Sequence, residues 1–257
     1  LNDIIDSLSE LNNTKNKKLR FLTNLISFSS GLAEKLKLAH DTCLLGQYLC
    51  LKIKAMDIHQ VIRHIVQQDQ LHAKWLNTLS FMENAGARKI SQCEHSTKVD
   101  IIQLKHAAEE HRHAYYLKKQ IGKLSNDMCK TYDDKYLIAP RYTRQYLHQL
   151  DIKSCRYLKD TFNLCGPALK HAAYLFVTYA IEVRADQLYP IYQHTLDLEQ
   201  SKVMVKSIIL EEEGHLEEMT AQLQLFSPNW ERYAEDIQAI EQGLYKEWIS
   251  AIGSYIN

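Results

Sequence analysis

Apolar residues return at spacings of three and four along most of the chain, the period of amphipathic helices. The pattern predicts accessory helices within residues 1–53, over 2–11, 19–38 and 44–53, followed by a long helix over 56–90 with Ile62, Ile65, Leu76 and Leu79 on one face. After a polar turn at 91–98, a second long helix is expected over 99–124. Residues 125–166 read as a long connection holding two short helices, Tyr142–Asp151 and Cys155–Phe162. Gly166 and Pro167 open a third long helix that reaches Thr195 with a kink at Pro190, and a fourth covers 198–226. Ser227 and Pro228 cap a last amphipathic helix, carrying Ile237, Ile240, Leu244, Trp248 and Ile252 on its apolar face. The whole is expected to be one all-α domain over 1–257, with accessory helices at 1–53, a core at 56–226 that includes the connection 125–166, and a C-terminal helix at 228–257.

Two of these stripes carry the wrong chemistry for a core. On the fourth helix, Glu212 and His215 continue the line of Val205, Ile208, Met219 and Phe226. A lone carboxylate in such a place is costly, so it must be protonated, paired or metal-bound. The same E-E-x-x-H pattern occurs in EEHRH, Glu109 to His113, and in EEEGH, Glu211 to His215. Residues three apart face one side of a helix, so Glu110 with His113, and Glu212 with His215, can each offer a carboxylate and an imidazole to one ion. A complete two-metal carboxylate site needs one further glutamate from each of two other helices. Glu182, 30 residues before Glu212, lies where an antiparallel neighbour of the fourth helix would supply one. An internal repeat supplies the other: HAKWLNTLSFME, ending at Glu83, matches HAAYLFVTYAIE, ending at Glu182. The repeating unit is a helical hairpin bearing Glu and then E-x-x-H.

Glu83, Glu110, His113, Glu182, Glu212 and His215 together resemble the ligand set of the ferritin-like di-iron carboxylate superfamily, which includes ferritins, rubrerythrins, ribonucleotide reductase small subunits and multicomponent monooxygenases. The resemblance covers residues 60–226. It implies a ferritin-like four-helix bundle with a long crossover connection, two ions between the helices, and dioxygen or peroxide chemistry there. Arylamine N-oxygenases of this superfamily carry an extra histidine one turn before the last E-x-x-H, where this chain has Ile208.

Four carboxylates and two imidazoles are hard and borderline donors, suited to two iron ions or a manganese–iron pair. Four anionic carboxylates also balance two divalent cations. Around the ligands, His106 lies one turn before Glu110 as an extra ligand or proton donor, and Asp186, one turn beyond Glu182, as a partner for a ligand histidine. Tyr179, with Tyr115 and Tyr116, falls within about a turn of ligand positions and is a candidate for radical storage. Glu109 and Glu211 are expected to point about 100° away from the ligands around their helices. His72 and His171 stand eleven residues before Glu83 and Glu182, about 16 Å away along a helix. They are expected to be structural.

Lys and Arg number 31 against 31 Asp and Glu, so no charge excess calls for nucleic acid or an anionic membrane surface as partner. No apolar run reaches the length of a membrane span. The 6 cysteines form no C-x-x-C pair, and a signal-peptide pattern is missing, so a reducing, cytoplasmic setting is expected. The leading expectation is an oxidase or oxygenase acting with dioxygen on a small organic substrate, drawing electrons from an external reductant, as a monomer or small homo-oligomer. Ferroxidase or iron storage, and a metal-free structural polar layer, are the competing readings.

Overall fold

The computed structural model describes residues 57–98, 100–125 and 127–256. The accessory helices expected within 1–53, with Cys43 and Cys50, lie outside the described residues. Among the described residues the chain is all-helical, with seven α-helices, no strand, and no helix long and apolar enough to cross a membrane.

The helix expected over 56–90 is two helices. α1, Ile58–Val66, buries Val61, Ile62, Ile65 and Val66, and α2, Asp69–Cys93, follows after Gln67 and Gln68. No glycine or proline marks the break. Gln68 is extended instead, and Gln67 Nε2 and Arg63 Nε bind the two carboxylate oxygens of Glu199 at 3.2 and 2.7 Å. The sequence around the break is polar, so its freed backbone can face solvent while both apolar stripes turn inward.

α3, Ile101–Ile121, packs closely against α2. Its first turn is capped by Asp100, whose Oδ1 accepts from the Ile102 amide at 3.0 Å. The connection that follows contains a 3₁₀ turn at Asp134–Tyr136 and is fastened to α2. Asn77 Nδ2 donates to the carbonyls of Thr131 and Tyr136 at 3.0 and 2.9 Å, and the Ile138 amide donates to Thr78 Oγ1 at 2.9 Å.

The two short helices expected within the connection are one, α4, Pro140–Phe162, entered through Pro140 in its first turn. α5, Gly166–Leu198, passes through Pro190 and ends beyond the expected Thr195. α6, Lys206–Phe226, starts later than residue 198, because the preceding segment is used as a packed turn: Val203 and Val205 are buried, and the Val205 amide donates to Gln193 Oε1 at 2.7 Å. α7, Trp230–Ile256, closes the described chain.

The apolar core falls into two clusters. One gathers Leu76 and Leu79 of α2, Leu117 of α3, Tyr192 of α5, Ile208 of α6 and Trp248 of α7. The other gathers Ile90, Ala107, Phe176, Met219 and Ile237 of the same five helices. On α2, α3, α5 and α6 the residues between the two clusters include Glu83, Glu110 with His113, Glu182, and Glu212 with His215. A polar layer thus divides the core at one level.

Candidate metal centre

All six sequence-predicted ligands converge. Glu83, Glu110, His113 and Glu212 form one group, and Glu110, Glu182, Glu212 and His215 a second; within each, one donor atom per residue lies within 4.8 Å of the others. These buried groups can hold a metal ion. Glu110 and Glu212 belong to both, while Glu83 and His113 serve only the first and Glu182 and His215 only the second.

The imidazoles present Nδ1 to the layer. His113 Nδ1 lies 3.1 Å from Glu212 Oε1 and 3.9 Å from Glu110 Oε1. His215 Nδ1 lies 3.5 Å from both Glu110 Oε1 and Glu212 Oε2, and 3.7 Å from Glu182 Oε2. Donor atoms about 2 Å from a common ion stand roughly 3 to 4 Å apart, so these separations suit coordination. His113 Nδ1, His215 Nδ1 and Glu182 Oε2 are buried and make no hydrogen bond despite their closeness. Buried polar atoms without a partner are rare, and here the first group holds one, His113 Nδ1, and the second holds two, His215 Nδ1 and Glu182 Oε2, as donors awaiting an ion would be.

What frees the Nδ1 atoms is a crossed pair of carboxylates. Glu211, of the second E-E-x-x-H, accepts from His113 Nε2 of the first at 2.7 Å, and Glu109 of the first accepts from His215 Nε2 of the second at 2.7 Å. A hydrogen on Nε2 leaves the Nδ1 lone pair for a metal. Arg112 grips Glu211 through both guanidinium NH₂ nitrogens at 2.6 and 2.7 Å. Glu109 and Glu211 do point away from the ligands of their own helix, but they meet the histidine of the facing helix. Single-helix geometry could not reveal this; the signal was the acidic residue preceding each ligand glutamate in both copies.

Burial pushes the carboxyls of Glu110 and Glu182 well above the usual range, with neighbouring carboxylates adding to the effect, and it also raises Glu83. Glu212 is held well below that range: burial opposes this, but the imidazoles of His113 and His215 outweigh it. For His215 burial acts downward, and the carboxylates of Glu182 and Glu212 push it up to about 11. So many carboxylates sharing one buried layer require protons or cations between them.

The supporting residues differ from those expected. His106 is buried one turn before Glu110, as anticipated, but is in neither donor group: its Nε2 meets Glu218 Oε2 at 2.8 Å and its Nδ1 meets the Tyr174 hydroxyl at 3.1 Å. Asp186 is exposed and supports no ligand histidine, because its position on α5 turns it to solvent. Tyr179 packs edge-on against Trp230 of α7. Tyr115 is exposed, and the Tyr116 hydroxyl donates to the Met204 carbonyl at 3.2 Å. The tyrosine at the layer is Tyr189, two turns beyond Glu182, whose hydroxyl donates to Glu83. His72 is buried with its Nε2 paired with the Tyr192 hydroxyl at 2.6 Å and its Nδ1 unpartnered, whereas His171, also expected to be structural, is exposed.

A cavity of about 490 Å³ between α2, α4 and α5 ends at the layer, where Glu83, Glu110, Glu182 and Glu212 form part of its wall and neither ligand histidine does. Its volume falls in the range of small-molecule sites. Comparison with known proteins returns no match: no family model, no curated protein and no solved structure is similar enough to this chain to assign it.

Proposed function

We propose that this chain is a di-iron carboxylate oxidase or oxygenase with a ferritin-like four-helix bundle of α2, α3, α5 and α6. The observation that carries the reading is the pair of donor groups sharing Glu110 and Glu212, each completed by one imidazole with an unpartnered Nδ1. Helix direction supports the bundle. α2 and α6 run from the first apolar cluster towards the second, and α3 and α5 run back. The end of α3 and the start of α5 therefore lie at opposite ends, which is the distance a long crossover has to span.

The donor set suits iron, with manganese the nearest competitor. When bound, a redox-active pair supplies the electrons that dioxygen requires and the oxidising power directed at a substrate. The chain's own residues do the rest. Glu109 and Glu211 hold His215 and His113 in one tautomer and one orientation. The Tyr189 hydroxyl fixes the Glu83 carboxylate at the cavity edge. Leu79, Met82, Val177 and Ile181 line the approach with apolar surface, which keeps bulk water from the reacting region and favours a small organic substrate over mineral growth.

Anaerobic loading with Fe(II), metal analysis and then admission of dioxygen test this reading. About two irons per chain, followed by dioxygen consumption without a growing mineral, is the expected result. Iron accumulating far beyond that would establish storage. Protein that binds no iron, with its fold intact, would leave a metal-free polar layer.

A further inference from the structure

The cavity is polarised from end to end. Its inner wall carries the carboxylates of the polar layer, its middle is apolar, and its outer lining includes Arg88 and Lys89 from α2 and Arg144 and His148 from α4. Arg88, Arg144 and His148 are exposed. The acid at this outer end is Asp151, bound to Lys89 at 2.7 Å. Arg144 is steadied at 2.9 Å by Asp134, which is not in the lining, and rests on the Phe81 ring at 4.9 Å. The lining at the rim therefore carries an excess of cations, and on α2 Arg88 follows Glu83 by five residues, roughly 7.5 Å along the helix axis.

We propose that the ligand of this cavity is an amphipathic organic acid, held by its carboxylate at the Arg88 and Arg144 rim with its apolar end directed at the polar layer. An anion entering head first would meet the glutamates of the inner wall, whereas the reverse orientation sets the carboxylate among the rim cations and the chain against the apolar middle. A cationic amphipath is repelled at the rim, and a neutral one gains nothing there. The proposal rests on the di-metal reading for what lies at the inner end, and on the cavity alone for the preference among head groups.

Calorimetric titration of the full chain, metal-free and iron-loaded, with octanoate, octan-1-ol and octylamine tests the head group. Octanoate should bind tightest, and Arg88→Glu should weaken octanoate by about tenfold, the loss expected of one charge-assisted hydrogen bond, while leaving octan-1-ol unchanged. Orientation is read in Mn(II)-loaded protein with octanoate fluorinated either at its methyl end or beside the carboxylate, the methyl-end fluorine relaxing faster. Equal binding of the three ligands, preference for the amine, no binding of any, insensitivity to Arg88→Glu, or faster relaxation beside the carboxylate would each overturn the proposal. Failure of the di-iron reading is separately visible: iron would not bind, and the head-group preference would still be judged in the metal-free chain.

Discussion

In the hairpin of α2 and α3, Glu83, Glu110 and His113 hold the places that Glu182, Glu212 and His215 hold in the hairpin of α5 and α6, yet their surroundings have diverged. Glu83 is half-buried and takes the Tyr189 hydroxyl, whereas Glu182 is buried with one oxygen unpartnered. One turn before the E-x-x-H, the first hairpin has His106 bonded on both ring nitrogens and the second has apolar Ile208. Arg112 inside the first motif clamps Glu211, and Gly214 at the matching position can clamp nothing. His72 is buried against Tyr192 while its counterpart His171 is exposed. The halves thus agree at the donor atoms and at the carboxylates that orient them. Everything else follows whichever apolar cluster, connection or solvent adjoins it.

The hardest blow to this likeness is a ligand common to both groups. Glu110→Ala or Glu212→Ala should remove both metal sites, whereas His113→Ala and His215→Ala should each spare the group to which it does not belong. Metal content after Fe(II) loading checks this, with circular dichroism confirming that the helices persist. Equal losses in all four variants would mean that the two groups are not separable.

Next in size is the unlike pair His72 and His171. Burial pulls His72 down to about 4 from its ordinary 6.5, so the unfolded chain takes up the proton first as pH falls. Stability from this residue is complete above about pH 6.5 and is lost as pH drops through the folded value, by about 3 kcal/mol in all. Urea unfolding from pH 7 to 4 should be less steeply pH-dependent in His72→Gln than in the parent.

The crossed carboxylates come third. Glu109→Gln and Glu211→Gln should each weaken metal affinity by about 10- to 100-fold, measured by competition with a chelator. The first should act through the His215 group and the second through the His113 group, a distinction that the single-histidine variants can verify by double-mutant analysis. Smallest is His106→Ile, which copies Ile208 into the first hairpin. Stability should fall by about 1 to 2 kcal/mol as the Tyr174 hydroxyl and Glu218 lose a partner, with metal content unaltered.

The residues of the two donor groups were legible in the sequence because each is a charged or imidazole residue on an apolar stripe, and because the stripe occurs twice. Their support was not. Asp186 obeyed the one-turn rule yet faces solvent, and Tyr189, a further turn along from Glu182 than that rule reaches, bonds Glu83 across the helix pair. Glu109 and Glu211 seemed turned away because helical geometry fixes a side chain's direction on its own helix and says nothing of the neighbour it meets. Boundaries failed where no proline or glycine punctuates: the break at Gln67 and Gln68 is fixed by a distant Glu199, and α4 runs unbroken where the sequence reads as two short pieces.

Glu83 and His215 bracket a stretch in which each hairpin closes locally and the two are joined by all of α4 and its flanking segments. Donors for either ion come from both hairpins, so the full site cannot exist in a chain whose hairpins have separated. An ion bound there would act as a long-range staple set late in folding, after the slow search that brings distant segments together. At a free concentration one hundred times its dissociation constant it would add about 2.7 kcal/mol to stability. Its escape would then follow the parting of the hairpins, making metal exchange a clock for the opening of the core.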